Sequence, residues 1–276
     1  MGVGIPGTGM IGLPIAVALG ASVGKSEYGL EVLKDVTPEA VEKGKEYIAE
    51  KRIEVQLKSG APDRLYIEVH VEACEDNAVV IINGGHTNFV HVQRNGEVLY
   101  AKLFGNEGEE VCDDSWLNMR GVYDFATTAP LEEIDFINEA CVLNEKAAEE
   151  SLHGNYGHSL GKVLTRPLGR GIMGDTIFSH ILSSTACACD ASMAGAMIPI
   201  MSNSGSGNQG ICVTLPIVKF AEENHNTDEE LTRALMLSHL TAIYIKQSLG
   251  KLSAFRMRRG FYRIELRHNL SYGWQL

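Results

Sequence analysis

The sequence is short of basic residues. It contains 24 Lys and Arg against 35 Asp and Glu, which gives a formal net charge of −11 at pH 7. Binding to nucleic acid or to an anionic membrane surface depends on clustered positive charge. We therefore expect neither partner, and the composition favours a small-molecule ligand.

Long apolar runs and a regular cysteine pattern are lacking as well. The apolar stretch from Ile11 to Val23 contains glycines, has no basic leader and is shorter than the ~20 residues that a bilayer requires. The six cysteines do not show the spacing of a small secreted scaffold. We expect a cytoplasmic protein without a signal peptide or a membrane span.

The periodicity of the chain predicts an α+β fold, in which a small sheet-containing domain is inserted into a mostly helical catalytic domain. Residues 1–30 are predicted to be the N-terminal part of the helical domain and residues 31–105 the inserted α+β domain. Residues 106–254 are the predicted main helical domain, and residues 255–276 form an atypical tail.

Alternating polar and apolar residues predict the strands of the inserted domain. They follow a helix that Thr37 and Pro38 should start, and Asn95-Gly96 is a strong hairpin signal. The predicted strands are Ile53–Leu57, Leu65–Val71, Ala78–Ile82, Thr87–Gln93 and Glu97–Leu103.

After Pro130 the apolar spacing is helical, and no strand pattern recurs. It predicts one helix from Leu131 to Leu152 and a second, almost wholly apolar and therefore buried, from Ile172 to Ala191. Thr227-Asp-Glu-Glu230 is a capping box that opens a long helix, for which Gly250 is the expected C-cap.

The most informative segment is Ser202–Gly210, a polar, glycine-rich stretch between two apolar segments. It precedes a helix predicted from Ile211 to Asn224, and backbone N–H groups at such a junction bind anions. No Lys follows the last glycine, which argues against a nucleoside-triphosphate loop, and a small carboxylate is preferred. The alternative is a tight interhelical turn with no ligand. The candidate binding residues are Ser202, Asn203, Ser204, Gly205, Ser206, Gly207, Asn208 and Gln209.

Three weaker signals leave alternatives open. His86 follows a flexible glycine pair and is either a general base or a turn histidine bonded to backbone. The pair Cys187 and Cys189 faces two sides of one helix, which favours structural cysteines over a metal site. Gly2, Gly4 and Gly7 match a dinucleotide-binding spacing, but no strand precedes them, and helix packing or an active-site wall is preferred.

Four separated strings resemble the L-cysteine desulfidase and serine dehydratase alpha-chain-like family. They are Gly2–Met10, Gly29–Thr37, His86-Thr-Asn88 and Ser202–Gly210. The resemblance covers roughly Gly2 to Ala254.

The resemblance implies an iron–sulfur lyase that converts L-cysteine or L-serine to pyruvate and ammonia, with sulfide from cysteine, and without pyridoxal phosphate. A 4Fe–4S cluster would act on the leaving group. By the same resemblance, His86 is the candidate catalytic residue, and Thr87 and Asn88 join the substrate-binding residues of Ser202–Gln209. A homo-oligomer is possible. The alternative function is a non-catalytic module that binds a small amino acid or carboxylate.

The chain departs from the family pattern in two places. It has no Gly-Cys-Thr-Glu-Pro motif, and after Ala254 it reads Phe-Arg-Met-Arg-Arg-Gly-Phe-Tyr-Arg instead of a Cys-Gly-Cys element. The expected cluster ligands are therefore not found, so no metal ligand is assigned and impaired activity is predicted. We expect a chain truncated at its N-terminus and altered, by a shifted reading frame, from about Phe255 onward.

Overall fold

The structure is a computed structural model that describes residues 4–63, 65–85, 87–102, 116–249 and 260–268. Contacts within the chain divide it into two units, one within Met1–Glu110 and Ala254–Leu276 and the other within Val111–Ser253. In their described parts, the first unit combines a β-sheet with helices and the second is helical. The prediction of an α+β fold is confirmed.

The sheet of the first unit has six strands in the described part of the chain. Their spatial order is β1-β6-β2-β3-β4-β5. Neighbouring strands run antiparallel, except for β2 and β6, which are parallel. The strands are β1 (Ile53–Leu57), β2 (Leu65–Ala73), β3 (Asp76–Asn83), β4 (Phe89–Arg94), β5 (Glu97–Ala101) and β6 (Gly260–His268). Each of the five strands predicted before residue 104 overlaps one of them.

Strand β6 corrects the expectations for the C-terminal segment. The sequence predicts no strand after Pro130 and no sustained periodicity after Ala254, yet Gly260–His268 lies between β1 and β2. Its Ile264 is in register with Val55 on one side and with Val69 on the other. A strand inserted between two others forms backbone hydrogen bonds along both edges, and these do not require side-chain alternation.

The hairpin between β4 and β5 follows the turn signal in the sequence. Asn95 and Gly96 both have positive φ, 48° and 83°, as a two-residue turn between twisted antiparallel strands requires. The Asn95 side chain also accepts a hydrogen bond from the backbone N–H of Asn77 at 2.7 Å. The predicted hairpin is confirmed.

Two α-helices of the first unit pack on each other. They are α1 (Leu13–Val23) and α2 (Pro38–Ala49), separated by a 3₁₀ helix at Ser26–Glu31. Ile15, Leu19 and Ala40 form their buried cluster. The described residues up to 30 thus group with the sheet, although the sequence assigns them to the helical domain, because the apolar face of α1 is covered by α2.

The second unit contains eight α-helices in its described part. Most are short, and the three longest are α8, α9 and α10. The helices are α3 (Met119–Thr128), α4 (Leu131–Ile134), α5 (Glu139–His153), α6 (Leu160–Thr165), α7 (Pro167–Met173), α8 (Ile177–Ala194), α9 (Gly207–Glu223) and α10 (Asp228–Leu249).

Both long helices predicted before residue 200 are interrupted. A 3₁₀ turn at Asp135–Asn138 separates α4 from α5. This turn brings Ile134 and Ile137, three residues apart, into the same buried cluster. The second predicted helix breaks at Gly174, whose φ is 74°, and α8 starts afresh with a capping box between Thr176 and Ser179.

The apolar helix α8 is only partly buried, contrary to the sequence-based expectation. Cys187, Ala188 and Ala191 pack into the core, whereas Phe178 near its start is 61% exposed. The predicted capping box of α10 is confirmed, since the backbone N–H of Glu230 donates to Thr227 Oγ1 and Thr227 N–H donates to the Glu230 carboxylate. Among the described residues, no helix is both long and apolar enough to cross a membrane.

Replacing Gly161 by alanine tests the contact between α6 and α8. A Cβ atom at Gly161 would lie less than 3.0 Å from Cys187 Sγ and from the backbone of Ser183 and Cys187. We expect the free energy of unfolding to fall by about 1–3 kcal/mol, because overpacking must push two helices apart. Urea denaturation followed by circular dichroism measures this change.

Gly171→Ala is the matched control. Gly171 lies inside α7, and a Cβ atom there would meet nothing within 4 Å. Alanine in a helix is more stable than glycine by up to about 1 kcal/mol, so G171A should be neutral or stabilising. Equal stability losses in the two variants would contradict the close packing of α6 on α8.

Candidate functional site

The Ser202–Gly210 segment folds as a tight turn that runs directly into α9. Asn203 and Ser206 form an isolated antiparallel bridge with backbone hydrogen bonds of 3.1 and 3.0 Å. The two residues between them, Ser204 and Gly205, both have positive φ, 49° and 76°. Because a turn of this type reverses the chain in two residues, it places Ser206 directly before the first residue of the helix.

Helix α9 begins at Gly207, earlier than the sequence predicts. Ser206 is its N-cap and accepts a hydrogen bond from the N–H of Gln209 through its hydroxyl, while its carbonyl accepts from Gly210. The N–H groups of Gly207 and Asn208 make no hydrogen bond to another described residue. Two amides at the positive end of a 17-residue helix therefore point out of its first turn.

A buried asparagine holds the turn in place. The Asn203 side chain is 4% exposed. Its amide oxygen accepts hydrogen bonds from Ser204 Oγ at 2.9 Å and from Gln209 Nε2 at 3.3 Å. Its amide nitrogen contacts the Nδ1 atom and the carbonyl of His239 on α10, at 3.3 and 3.2 Å. One side chain thus connects the turn, the first turn of α9 and α10.

The ring of His239 lies between one hydrogen-bond donor and one acceptor. Nδ1 accepts from the Asn203 amide, and Nε2 lies 3.0 Å from Thr214 Oγ1, whose own hydrogen goes to the Gly210 carbonyl at 2.7 Å. This pattern requires the neutral ring with its hydrogen on Nε2. Burial lowers the pKa of His239, which agrees with the neutral form.

A second buried asparagine fixes the other end of the segment. Asn144 on α5 is fully buried and accepts the N–H of Met201 at 3.0 Å, while its amide nitrogen lies 3.3 Å from Thr214 Oγ1. Gly210 is in close contact here, since a Cβ atom would lie less than 3.0 Å from Met201 O and Ser202 Cα. The segment is therefore clamped between α5, α9 and α10.

The polar residues of the segment differ in their surroundings. Ser202 and Gly205 are exposed, and Asn208 is half-buried with an Oδ1 atom that finds no partner among the described residues. Asn144, Thr214 and His239 are not among the site residues predicted from the sequence. The available signal was a polar residue inside an otherwise apolar helical pattern, and only the fold shows that the three meet.

The other predicted site residues are His86, Thr87 and Asn88. His86 is outside the described residues. Thr87 and Asn88 belong to the connection before β4, in the sheet-containing unit. The Asn88 side chain donates to the Asn83 carbonyl at 2.8 Å and so closes that connection.

A cavity of about 380 Å³ lies near the other end of α9. Two basic side chains on its wall each contact two carboxylates: His180 contacts Asp175 and Glu223, and Lys219 contacts Glu145 and Glu222. The hydrogen bonds to Glu223 and Asp175 raise the pKa of His180. Four carboxylates face two basic side chains, so this part of the protein keeps a net negative charge.

The cysteines of the helical unit fall into two groups. Cys141 and Cys187 are buried, and burial raises the pKa of both thiols to about 11. Cys189 on α8 and Cys212 on α9 are hydrogen-bonded to each other, and this bond lowers the pKa of Cys212 to about 7. Among the described residues, no group of three or more His, Cys, Asp or Glu side chains could hold a metal ion.

The chain belongs to the serine dehydratase alpha chain family, whose model matches residues 27–256. The chain is similar to UPF0597 proteins of Bacteroides fragilis, at 64% identity, and of Bacteroides thetaiotaomicron, at 62%. Both alignments span 254 residues, 92% of this chain and 59% of the relative.

A more distant relative is the UPF0597 protein of Porphyromonas gingivalis, 47% identical over 260 residues, which cover 92% of this chain and 60% of the relative. The chain therefore spans about three fifths of the length of these relatives. No solved structure matches the sequence.

Replacing His239 by glutamine tests whether its buried ring is neutral in the folded protein. Because burial lowers the pKa of His239, the stability it contributes is present above the ordinary pKa of about 6.5 and is lost as pH falls through the folded-state pKa. We expect the unfolding free energy of the wild type to fall more steeply than that of H239Q between about pH 7 and pH 5. Urea denaturation at a series of pH values measures both curves.

His180→Gln provides a control of opposite sign. Hydrogen bonds to Glu223 and Asp175 raise the pKa of His180, so its contribution is complete at low pH and is lost as pH rises through the folded-state pKa. H180Q should therefore lose stability mainly at the acidic end. Parallel curves for the wild type and H239Q would contradict the buried neutral ring.

Proposed function

We propose that the helical unit carries the substrate-carboxylate site of a serine dehydratase-like lyase. The reaction is an α,β-elimination on L-serine or L-cysteine, which breaks the Cα–H bond and the bond from Cβ to the hydroxyl or thiol. The resulting enamine hydrolyses to pyruvate and ammonia. Membership of the serine dehydratase alpha chain family supports the reaction class.

The observation that supports the binding site is the first turn of α9. The N–H groups of Gly207 and Asn208 have no partner among the described residues, and they lie where the helix dipole favours a negative charge. A carboxylate has two oxygens, which match two adjacent donors. The clamp through Asn203, His239 and Asn144 keeps these donors in position, so little ordering entropy is lost on binding.

An amino-acid substrate would also present an ammonium group and a leaving group. The Oδ1 atom of Asn208 is a buried acceptor without a described partner, which suits an ammonium group beside the carboxylate. His86 is our candidate for the base that removes the α-proton, with Thr87 and Asn88 as further substrate contacts. The role of these three residues rests on the motif His86-Thr-Asn88 alone.

The family resemblance implies a 4Fe–4S cluster, but the described residues do not fit one. Such a cluster is held by three or four thiolates, whereas the described chain brings together one pair, Cys189 and Cys212. Cys141 and Cys187 are buried and protonated because burial raises their pKa. We therefore assign no step to a cluster within this chain.

This mismatch favours a second candidate function. A chain with a carboxylate site and no described ligand set could bind a small amino acid without converting it. The two functions are separated by titrating the protein with L-serine and L-cysteine while pyruvate is measured. Pyruvate formation supports the lyase, and saturable binding without pyruvate supports the binding module.

Replacing Gly207 by proline tests whether its backbone N–H group binds the carboxylate. Proline is well tolerated at the first helical position, where its ring replaces the N–H group. Ser206 already has the extended backbone that a following proline requires. We expect L-serine binding to weaken by about 1.5–3 kcal/mol, the value of a hydrogen bond to a charged group. Isothermal titration calorimetry measures the dissociation constant.

Gly207→Ala is the matched control, because alanine adds a Cβ atom and keeps the N–H. That Cβ would lie 3.4 Å from Ser192 Oγ, an ordinary contact, so G207A should bind L-serine nearly as the wild type does. Ethanolamine, which lacks the carboxylate, should not compete. If G207P binds L-serine with wild-type affinity, the first turn of α9 is not part of the site.

A further inference from the structure

Helices α8 and α9 pack side by side in opposite directions. His180 near the start of α8 is bonded to Glu223 at the end of α9. At the other end, Ser192 Oγ lies 3.4 Å from the Cβ position of Gly207. Between these two contacts the antiparallel register places Cys189 opposite Cys212.

The two thiols differ in how readily they ionise. Their interaction lowers the pKa of Cys212 to about 7 and raises that of Cys189, so Cys212 is the more readily ionised thiol. Cys212 is exposed, while Cys189 is half-buried. An exposed thiolate with a second thiol in contact has the features of an attacking and a resolving cysteine.

We propose that Cys189 and Cys212 form an oxidisable dithiol, which a low-molecular-weight disulfide such as oxidised glutathione converts to an intramolecular disulfide between α8 and α9. Such a disulfide would form whether or not the protein is a lyase.

The reaction balances as two thiol–disulfide exchanges. The Cys212 thiolate attacks one sulfur of the oxidant, the oxidant's S–S bond breaks, and one thiol is released. Cys189 then loses its proton and attacks the Cys212 sulfur of the mixed disulfide, which releases the second thiol. Two protein thiols are oxidised to one disulfide, and the oxidant is reduced to two thiols.

The other described cysteines of this unit serve as internal comparisons. Cys141 and Cys187 are buried, and burial raises their pKa to about 11. Since the thiolate is the reactive species, oxidation should select Cys189 and Cys212 over these two. The expected selectivity of oxidation thus depends on where each cysteine lies in the fold.

The test incubates the full chain with increasing oxidised glutathione, blocks free thiols with iodoacetamide, and maps peptides without reduction. We expect a crosslinked peptide pair that contains Cys189 and Cys212, and its loss on adding dithiothreitol. Cys141 should remain alkylatable after denaturation in every sample. Free Cys189 and Cys212 throughout the series, or a disulfide to a different cysteine, would overturn the proposal.

Two variants separate the attacking from the resolving thiol. C189S should stop at the mixed disulfide, so that glutathione remains on Cys212, whereas C212S should form neither product. C141S should behave as the wild type does. If C189S and C212S accumulate the same glutathione adduct on the remaining cysteine, the assigned order of attack is wrong.

Discussion

The hydrogen bonds of one buried side chain, Asn203, determine the geometry of the candidate site. Its amide joins Ser204 and Gln209 on one side to His239 on the other. A buried amide without such partners would cost about 1–3 kcal/mol, so the turn and α10 are favoured only in the arrangement that satisfies it. The position of the α9 N-terminus depends on that arrangement.

The same network explains why polar residues occur on the buried faces of three helices. Asn144, Thr214 and His239 come from α5, α9 and α10 and connect through the Thr214 hydroxyl. A buried polar group is acceptable only when its partners are present. The network therefore specifies one relative position of these helices, while two apolar clusters supply most of the burial.

Local features of the structure could be predicted from the sequence, because neighbouring residues decide them. The alternation in Leu65–Val71, the turn at Asn95-Gly96 and the capping box at Thr227 all form as predicted. Contacts between distant parts of the chain decide the features that were missed. Strand β6 forms by pairing with β1 and β2. Periodicity did not show the 3₁₀ turn before α5 either, since it depends on where Ile137 meets the core.

The candidate site has features that the local sequence predicts and features that only distant contacts decide. The glycine-rich pattern of Ser202–Gly210 marked the segment, and its composition indicated exposed backbone N–H groups. It could not show which amides stay available, because Ser206 satisfies those of Gln209 and Gly210 and leaves those of Gly207 and Asn208. Nor could it show that His239, far along the chain, supports the turn.

The most direct test of the account is an amide chemical-shift titration of the isotopically labelled chain with L-serine. Donors aimed at a carboxylate should shift on binding, whereas amides already capped by Ser206 should change little. The account predicts saturable shifts at Gly207 and Asn208 that ethanolamine does not reproduce. Unchanged amides at both residues while L-serine binds elsewhere in the protein would contradict it.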